Sequence, residues 1–208
     1  MVVKICGITS LEDGLLAAQA GADAVGFVFW PRSPRALDLE TARRIARGLP
    51  PFLVRVGVFV DAAPPELARA ADDVGLDLLQ LHGDEPPEAC RAAPRRVLKA
   101  LRVGPGFEAE SAVAYRDAAA GVLLDSRDPA GSAGGSGRRF DWGQALPLRS
   151  RLPFLGLAGG LTPENVAAAI RELRPDLVDV SSGVESAPGR KDAGRLRAFV
   201  AAARSAEP

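Results

Sequence analysis

Residues 154–165 read FLGLAGGLTPEN, and this stretch joins three successive structural patterns. The apolar run Phe154–Leu157 predicts a buried strand. Two glycines, Gly159 and Gly160, follow it and indicate a turn. A Thr-Pro-Glu sequence comes next, which is typical of a helix start because threonine caps the helix and proline suits its first position. The stretch is therefore a strand, a loop and the start of a helix predicted over Pro163–Leu173.

The same unit recurs along the chain, in both directions from this stretch. Several of the apolar runs are nearly continuous, as in strands that are covered on both faces of a parallel sheet. The strands are predicted at Val2–Cys6, Ala24–Phe29, Leu53–Val60, Leu76–Leu81, Arg96–Ala100, Gly121–Leu124, Phe154–Leu157 and Leu177–Val180. The helices are predicted at Leu11–Ala20, Leu39–Leu49, Pro65–Val74, Glu85–Ala92, Glu108–Tyr115, Pro163–Leu173 and Asp192–Ala203.

Eight alternating units allow two architectures, a closed barrel or a large open doubly wound sheet. The 208 residues divide into eight units of 26 residues, which is compact but sufficient for a barrel. An open sheet would be expected to carry a dinucleotide-binding glycine fingerprint after its first strand, and the CGIT sequence at 6–9 is not one. The predicted fold is an α/β fold, a (β/α)8 TIM barrel in which residues 1–208 form a single domain.

Composition excludes several classes of function. The 26 basic and 26 acidic residues give a net charge of zero, so the chain lacks the basic field that nucleic-acid binding needs. The longest uncharged apolar run, Ala24–Trp30, is too short to span a bilayer. Cys6 and Cys90 give neither a disulfide framework nor a metal-ligand spacing. With no export signal at the N-terminus, we expect a cytoplasmic protein without a metal, a nucleic-acid partner or a membrane partner.

The loops after the seventh and eighth strands predict a phosphate site. Barrels commonly hold phosphate there, because glycine lets backbone N–H groups approach the anion and a helix N-terminus adds favourable partial charge. The candidate residues are Gly159 and Gly160 in one loop and Ser182 and Gly183 in the other. The alternative is two tight turns that merely require glycine.

Cys6 ends the first strand, at the mouth where barrel enzymes place their catalytic groups. It is either a small buried apolar residue or a base. Lys4 faces the same side of the strand, so its ammonium group would favour the thiolate form of Cys6. Lys4 could instead pair with Asp179, since the first and eighth strands are neighbours in a closed barrel.

Asp125 ends the sixth strand, just before a stretch rich in glycine and serine at 126–141. A long loop of this kind inside a compact domain is typical of a functional lid or of a disordered segment. Asp125 is either a cap or turn residue or a general acid under that lid, and Asp128 is an alternative acid.

Two further side chains are candidates for substrate binding. Arg35 lies in a loop stiffened by two prolines, which suits bidentate binding of a carboxylate, although a plain surface arginine is the alternative. His82, the only histidine, follows the fourth strand and is interpreted as a binding or structural residue.

Together these segments resemble the phosphoribosylanthranilate isomerase family, from the first strand to the last helix. The matching segments are KICGIT at 4–9, GFVF at 26–29, SPR at 33–35, VGVFV at 56–60, LQLHG at 79–83, LLD at 123–125, GGSG at 134–137, FDW at 140–142, AGGL at 158–161, DVSSGVE at 179–185 and GRKD at 189–192. The family often has threonine in place of Ser136 and lysine in place of Arg138, and both changes leave the proposed acid and base untouched.

The resemblance implies a cofactor-free Amadori rearrangement of N-(5-phosphoribosyl)anthranilate in tryptophan biosynthesis. It implies that Cys6 is the general base, Asp125 the general acid and Arg35 the ligand of the anthranilate carboxylate. The glycine loops would hold the phosphate, and Asp179 would hold a sugar hydroxyl. The expected partner is this small phosphosugar substrate alone, bound by a monomer or a homodimer.

Three other functions are alternatives to this one. A related aminoaldose isomerase of the histidine pathway usually pairs two aspartates, whereas the first strand here ends in Cys6. A phosphate-binding protein without catalysis would need neither Cys6 nor Asp125. An NAD-dependent oxidoreductase would be expected to have the glycine fingerprint that this chain lacks.

Overall fold

The computed structural model describes residues 1–126 and 141–206, and within them eight parallel strands close a barrel. Each strand pairs with the next one in the sequence, and β1 pairs with β8 to complete the ring. The strands are β1 Val2–Cys6, β2 Ala24–Val28, β3 Val54–Phe59, β4 Leu78–Leu81, β5 Val97–Val103, β6 Gly121–Ser126, β7 Leu155–Leu157 and β8 Leu177–Val180. The prediction of a (β/α)8 barrel is confirmed.

Helices follow the strands on the outside of the ring. They are α1 Leu11–Ala20, α2 Leu39–Gly48, α3 Pro64–Val74, α4 Pro87–Ala92, α5 Ala109–Val113, α6 Val166–Leu173 and α7 Ala193–Ser205. The described part of the connection between β6 and β7 holds a 3₁₀ helix, Trp142–Leu148. Most of the buried apolar side chains form one cluster, and a smaller cluster of Leu98, Ala100, Leu123, Ala158 and Leu177 is separate from it.

The predicted helix over Pro163–Leu173 begins later than expected, at Val166. The reason is a turn that precedes it, in which the Thr162 N–H donates to Asn165 Oδ1 over 2.9 Å. Thr162 therefore does not cap the helix, and Asn165 takes the N-cap position.

Two strands, β5 and β6, run further than predicted, since the hydrogen-bond ladder between them continues past Ala100 and Leu124. The register pairs Arg102 of β5 with Asp125 of β6, and Val103 with Ser126. A strand that ends in polar residues is not distinguished by hydrophobicity from the loop after it. The extension fixes the backbone of Asp125 within the sheet.

A small hairpin after β8 was not predicted. Its strands are β9 Glu185–Ala187 and β10 Arg190–Lys191, and they pair in antiparallel fashion. Gly189 between them has φ +77°, a left-handed conformation that glycine adopts without steric cost. The hairpin places Glu185 and Lys191 in buried positions beside the mouth of the barrel.

No helix within residues 1–126 and 141–206 has the length and apolarity that crossing a bilayer requires.

Candidate active site

A pocket opens at the carboxyl ends of the barrel strands, with about 700 Å³ of empty space that includes its open mouth. All nine residues predicted from the sequence line it, namely Cys6, Arg35, His82, Asp125, Gly159, Gly160, Asp179, Ser182 and Gly183. The structure therefore brings together side chains that lie up to 177 positions apart, from Cys6 to Gly183.

The two glycine loops touch each other at one end of the pocket. A side chain at Gly183 would overlap the carbonyl oxygen of Leu161, so only glycine permits the two loops to approach this closely. Gly159 has φ +83°, and a Cβ atom there would lie 2.7 Å from Asp125 Oδ1. Asn165 braces the loop by donating from Nδ2 to the Gly160 carbonyl over 2.9 Å. Sequence reasoning missed Asn165, which is the only asparagine of the chain.

Cys6, Lys4 and Asp179 form a group on β1 and β8, in which Lys4 and Asp179 are buried and Cys6 is partly exposed. Lys4 Nζ donates to Asp179 Oδ2 over 2.9 Å, so the predicted alternative of a Lys4–Asp179 pair is present. A Cβ atom at Gly26 would lie 2.8 Å from Cys6 Sγ and 3.1 Å from Lys4 Nζ, which places these two groups side by side. Gly26 on β2 therefore provides the space that both side chains occupy.

At both Cys6 and Lys4, burial shifts the pKa in one direction and an opposite charge nearby shifts it in the other. Burial raises the pKa of the Cys6 thiol, although the Lys4 ammonium works against that rise. Burial opposes the charged form of Lys4 as well, but attraction to Asp179 and to Cys6 raises the pKa of Lys4 above its ordinary value. Lys4 therefore places a positive charge beside the Cys6 thiol, and the thiol depends on such a charge in order to ionise.

His82 and Asp125 face each other across the pocket wall. His82 Nε2 lies 3.2 Å from Asp125 Oδ2, within hydrogen-bond distance but without the alignment of a hydrogen bond. On its other side, His82 Nδ1 lies 3.2 Å from Gln80 Nε2.

Several buried polar atoms of the pocket have no hydrogen-bond partner among residues 1–126 and 141–206. They are Gln80 Oε1, His82 Nε2, Asp179 Oδ1 and Ser181 Oγ. Buried polar atoms are nearly always paired in folded proteins, so a group of unpaired ones in a pocket indicates a polar ligand.

Arg35 does not extend freely into the pocket. Its Nε and Nη2 donate to the two carboxylate oxygens of Glu185 over 2.8 and 2.7 Å. Glu185 Oε1 also accepts from Lys191 Nζ over 2.8 Å. Sequence reasoning gave no role to Glu185 or Lys191, because only the fold shows that the hairpin reaches Arg35.

The predicted lid lies almost entirely at 127–140, outside the described residues, and so do Asp128, Ser136 and Arg138. Within the described part of the chain, no group of three or more His, Cys, Asp and Glu side chains is arranged to hold a metal ion.

Fold and pocket together define a (β/α)8-barrel protein with a polar small-molecule site at the carboxyl ends of its strands. Comparison with known proteins specifies the family. Residues 3–202 match the family described as N-(5'phosphoribosyl)anthranilate (PRA) isomerase. A curated relative, the N-(5'-phosphoribosyl)anthranilate isomerase of Pseudomonas aeruginosa (strain LESB58), is 53% identical over 203 residues, which cover 98% of this chain and 95% of the relative.

Two solved structures support the same assignment. The crystal structure of phosphoribosyl anthranilate isomerase from Thermotoga maritima has a TM-score of 0.92 and 48% identity, covering 99% of this chain and all of that one. A phosphoribosyl anthranilate isomerase in complex with reduced 1-(o-carboxyphenylamino)-1-deoxyribulose 5-phosphate has a TM-score of 0.89 and 47% identity over the same shares of both chains. The chain belongs to the phosphoribosylanthranilate isomerase family, as the sequence motifs predicted.

Proposed function

We propose that this chain converts N-(5-phosphoribosyl)anthranilate to 1-(o-carboxyphenylamino)-1-deoxyribulose 5-phosphate, a cofactor-free Amadori rearrangement of tryptophan biosynthesis. The observation that carries the proposal is the presence of Cys6 and Asp125 in one pocket that also contains both glycine loops and Arg35. The family membership of the whole barrel supports the choice of substrate.

The reaction begins with acid catalysis by Asp125. Its carboxyl group gives a proton to the furanose ring oxygen, the bond from that oxygen to C1′ breaks, and the nitrogen lone pair forms a Schiff base at C1′. Asp125 is 5% exposed, so little water competes for this proton. Its position at the end of β6 fixes the direction from which the proton arrives.

Base catalysis by Cys6 completes the rearrangement. The thiolate removes the proton at C2′, and the resulting enolamine tautomerises to the ketone. In the free protein burial raises the pKa of Cys6, so the thiolate depends on positive charge. Lys4 supplies one such charge, and the protonated Schiff base of the substrate supplies a second when it forms.

The remaining pocket residues bind the parts of the substrate that do not react. Gly159, Gly160, Ser182 and Gly183 hold the phosphate through backbone N–H groups. Asp179 Oδ1, which lacks a partner within the described residues, accepts a hydrogen bond from a sugar hydroxyl.

Two side chains complete the binding of the substrate. Arg35 binds the anthranilate carboxylate, and His82 contacts the substrate beside Asp125. Every group named in this mechanism comes from one chain, so a monomer or a homodimer would be competent.

The test is the decay of phosphoribosylanthranilate fluorescence with the purified protein and three variants. Wild type should consume the substrate, while Cys6→Ser and Asp125→Asn should each lose about 10² to 10⁴ in rate. Cys90→Ser is the matched control and should retain activity, because Cys90 lies buried in α4 and outside the pocket. Wild-type turnover by Cys6→Ser would contradict its assignment as the base, and an inactive wild type would contradict the proposed reaction.

A further inference from the structure

Three charged side chains form a buried row beside the pocket: Arg35, Glu185 and Lys191. The Glu185 carboxylate lies in the middle, with Arg35 at 2.7 and 2.8 Å and Lys191 at 2.8 Å. The side chains of Glu185 and Lys191 are 4% and 0% exposed, and that of Arg35 is 11% exposed. Only Arg35 of the three lines the pocket.

With Lys191 protonated, the row carries one net positive charge; burial lowers the pKa of Lys191 below its ordinary value, and attraction to Glu185 works against that fall. Burial opposes the ionisation of Glu185, but the hydrogen bonds from Arg35 and the attraction of Lys191 lower its pKa below the ordinary value, so it is a carboxylate at neutral pH. Without Lys191, this carboxylate would neutralise Arg35. With Lys191 present, the carboxylate is shared between two cations, and positive charge remains at the pocket end of the row.

The Arg35 guanidinium group has a second edge that Glu185 does not bind. The guanidinium group has five N–H donors, and Glu185 receives one from Nε and one from Nη2. The edge formed by Nη1 and the second N–H of Nη2 has no hydrogen-bond partner within residues 1–126 and 141–206, and it can bind a second carboxylate bidentately, as Nε and Nη2 bind Glu185. Glu185 thus binds the guanidinium group along the edge formed by Nε and Nη2 and does not occupy the second edge.

The Lys191 ammonium group also connects the row to the ends of two barrel strands, β1 and β8. Lys191 Nζ donates to the carbonyl of Cys6 over 2.6 Å and to that of Ser181 over 3.3 Å. Arg35 passes over Gly7, the residue after Cys6, since a Cβ atom at Gly7 would overlap Arg35 Cδ. Lys191 therefore ties Glu185, and through it Arg35, to the ends of β1 and β8.

We propose that Lys191 and Glu185 are positioning residues that give Arg35 its orientation and its net charge for binding the aryl carboxylate of the substrate. The proposal rests on the proposed function, in which Arg35 binds that carboxylate. It predicts that Lys191 affects recognition of the carboxylate selectively. A purely structural role, in which Lys191 only anchors the hairpin of β9 and β10, would affect all ligands of the pocket alike.

The test uses two ligands that differ in one group. The first is reduced 1-(o-carboxyphenylamino)-1-deoxyribulose 5-phosphate, and the second is the same compound without the carboxyl group. Their dissociation constants are measured by calorimetry. Their ratio, the second Kd divided by the first, is the carboxylate preference of the protein.

Wild type should show a carboxylate preference of about tenfold or more, as expected of hydrogen bonds to a charged group. In Lys191→Met the preference should fall several-fold, while the ligand without the carboxyl group binds nearly as in wild type. Arg35→Met should abolish the preference, and in that background Lys191→Met should change it no further. The matched control is Arg190→Met, which removes an exposed positive charge from the same strand and should leave the preference unchanged.

Equal weakening of both ligands by Lys191→Met would overturn the proposal, since that is the result of a structural role. If Lys191→Met does not fold, Lys191→Gln replaces it, because glutamine keeps a donor for the carbonyls but carries no charge. A wild type without any carboxylate preference would contradict the assignment of Arg35 and this inference with it. The isomerase activity is tested separately by the fluorescence decay.

Discussion

Two buried lysines, Lys99 and Lys191, bind the same kinds of groups in two regions of the barrel rim. Lys99 Nζ donates to the carbonyls of Leu81 and Gly83 over 3.2 and 2.7 Å, and to Glu85 Oε2 over 2.7 Å. Lys191 Nζ likewise donates to two loop carbonyls and to one glutamate oxygen. The three acceptors of Lys99 lie at the end of β4 and in the loop after it, whereas those of Lys191 come from the end of β1 and from the segment after β8.

The two regions differ in the other hydrogen bonds that the glutamate accepts. Glu85 accepts from the backbone N–H groups of Asp61 and Gly83, so its network closes on the main chain. Glu185 accepts from Arg35, so its network leads to a side chain of the pocket. The same buried ion pair thus serves the stability of the loops in one region, and in the other it places a charge where a substrate can meet it.

The largest effect should come from Lys99→Met. This change leaves Glu85 buried without a cation, which typically costs about 3 to 5 kcal/mol of stability. Lys191→Met should cost less, because Glu185 keeps Arg35 as a partner. Urea denaturation followed by circular dichroism measures both losses.

The comparison also predicts what Lys99→Met leaves intact. The carboxylate preference should stay at the wild-type value, since Lys99 makes no contact with Arg35 or Glu185 in the described residues. Equal losses of stability in the two variants, or a reduced preference in Lys99→Met, would show that the two regions do not divide these roles.

The two regions also differ in how far the sequence predicts them. The barrel follows from apolar runs such as Ala24–Val28, because strands buried on both faces are marked by hydrophobicity alone. The hairpin after β8 has polar residues such as Ser186 and Arg190 at exposed positions, so no periodicity indicates it. Element positions were predicted where burial determines the residue type, and missed where hydrogen bonds between charged groups determine it.

The candidate pocket was predictable for a similar reason. Cys6, Asp125 and Asp179 lie at or beside the ends of strands that are visible in the sequence, and a closed barrel brings such ends together. Glu185, Lys191 and Asn165 act through contacts that depend on loop conformation. The one available signal is that the chain has only three lysines, Lys4, Lys99 and Lys191, and uses arginine on its surface. A residue type excluded from the surface indicates specific buried roles.

The second prediction compares a glycine in each region. Gly7 has φ +74°, and Gly7→Ala would both strain the backbone and displace Arg35, so we expect a loss of about 1 to 3 kcal/mol in stability and a reduced carboxylate preference. Gly83→Ala is the matched variant, because its Cβ atom would lie 2.7 Å from the Asp61 backbone nitrogen. It should lose stability and keep the preference. A reduced preference in Gly83→Ala would contradict the separation of the two regions.

The third prediction extends the comparison to Lys4, which pairs with Asp179 beside the proposed base. The Lys4 ammonium opposes the burial that raises the pKa of Cys6. Lys4→Met should therefore raise that pKa further, and the rise of kcat/KM with pH should move to higher pH. Asp179→Asn should move it to lower pH, since the Asp179 carboxylate raises the pKa of Cys6. A pH profile with the same midpoint in wild type and both variants would show that Cys6 is not the group that must ionise.

The last prediction needs no substitution and concerns the rates at which the two regions open. Native wild type is treated with an amine-acylating reagent, and peptide mapping by mass spectrometry follows each lysine. Lys191 belongs to a two-residue strand of a two-stranded sheet, whereas Lys99 lies within the seven-residue β5, paired on both sides. Short edge elements open locally at lower free energy than central strands, so Lys191 should react before Lys99. Saturation with the reduced product analogue should slow the reaction of Lys191 selectively, because the ligand's carboxylate holds Arg35 and, through Glu185, the hairpin. Equal rates that respond equally to the ligand would mean that the two lysine networks open as a single unit.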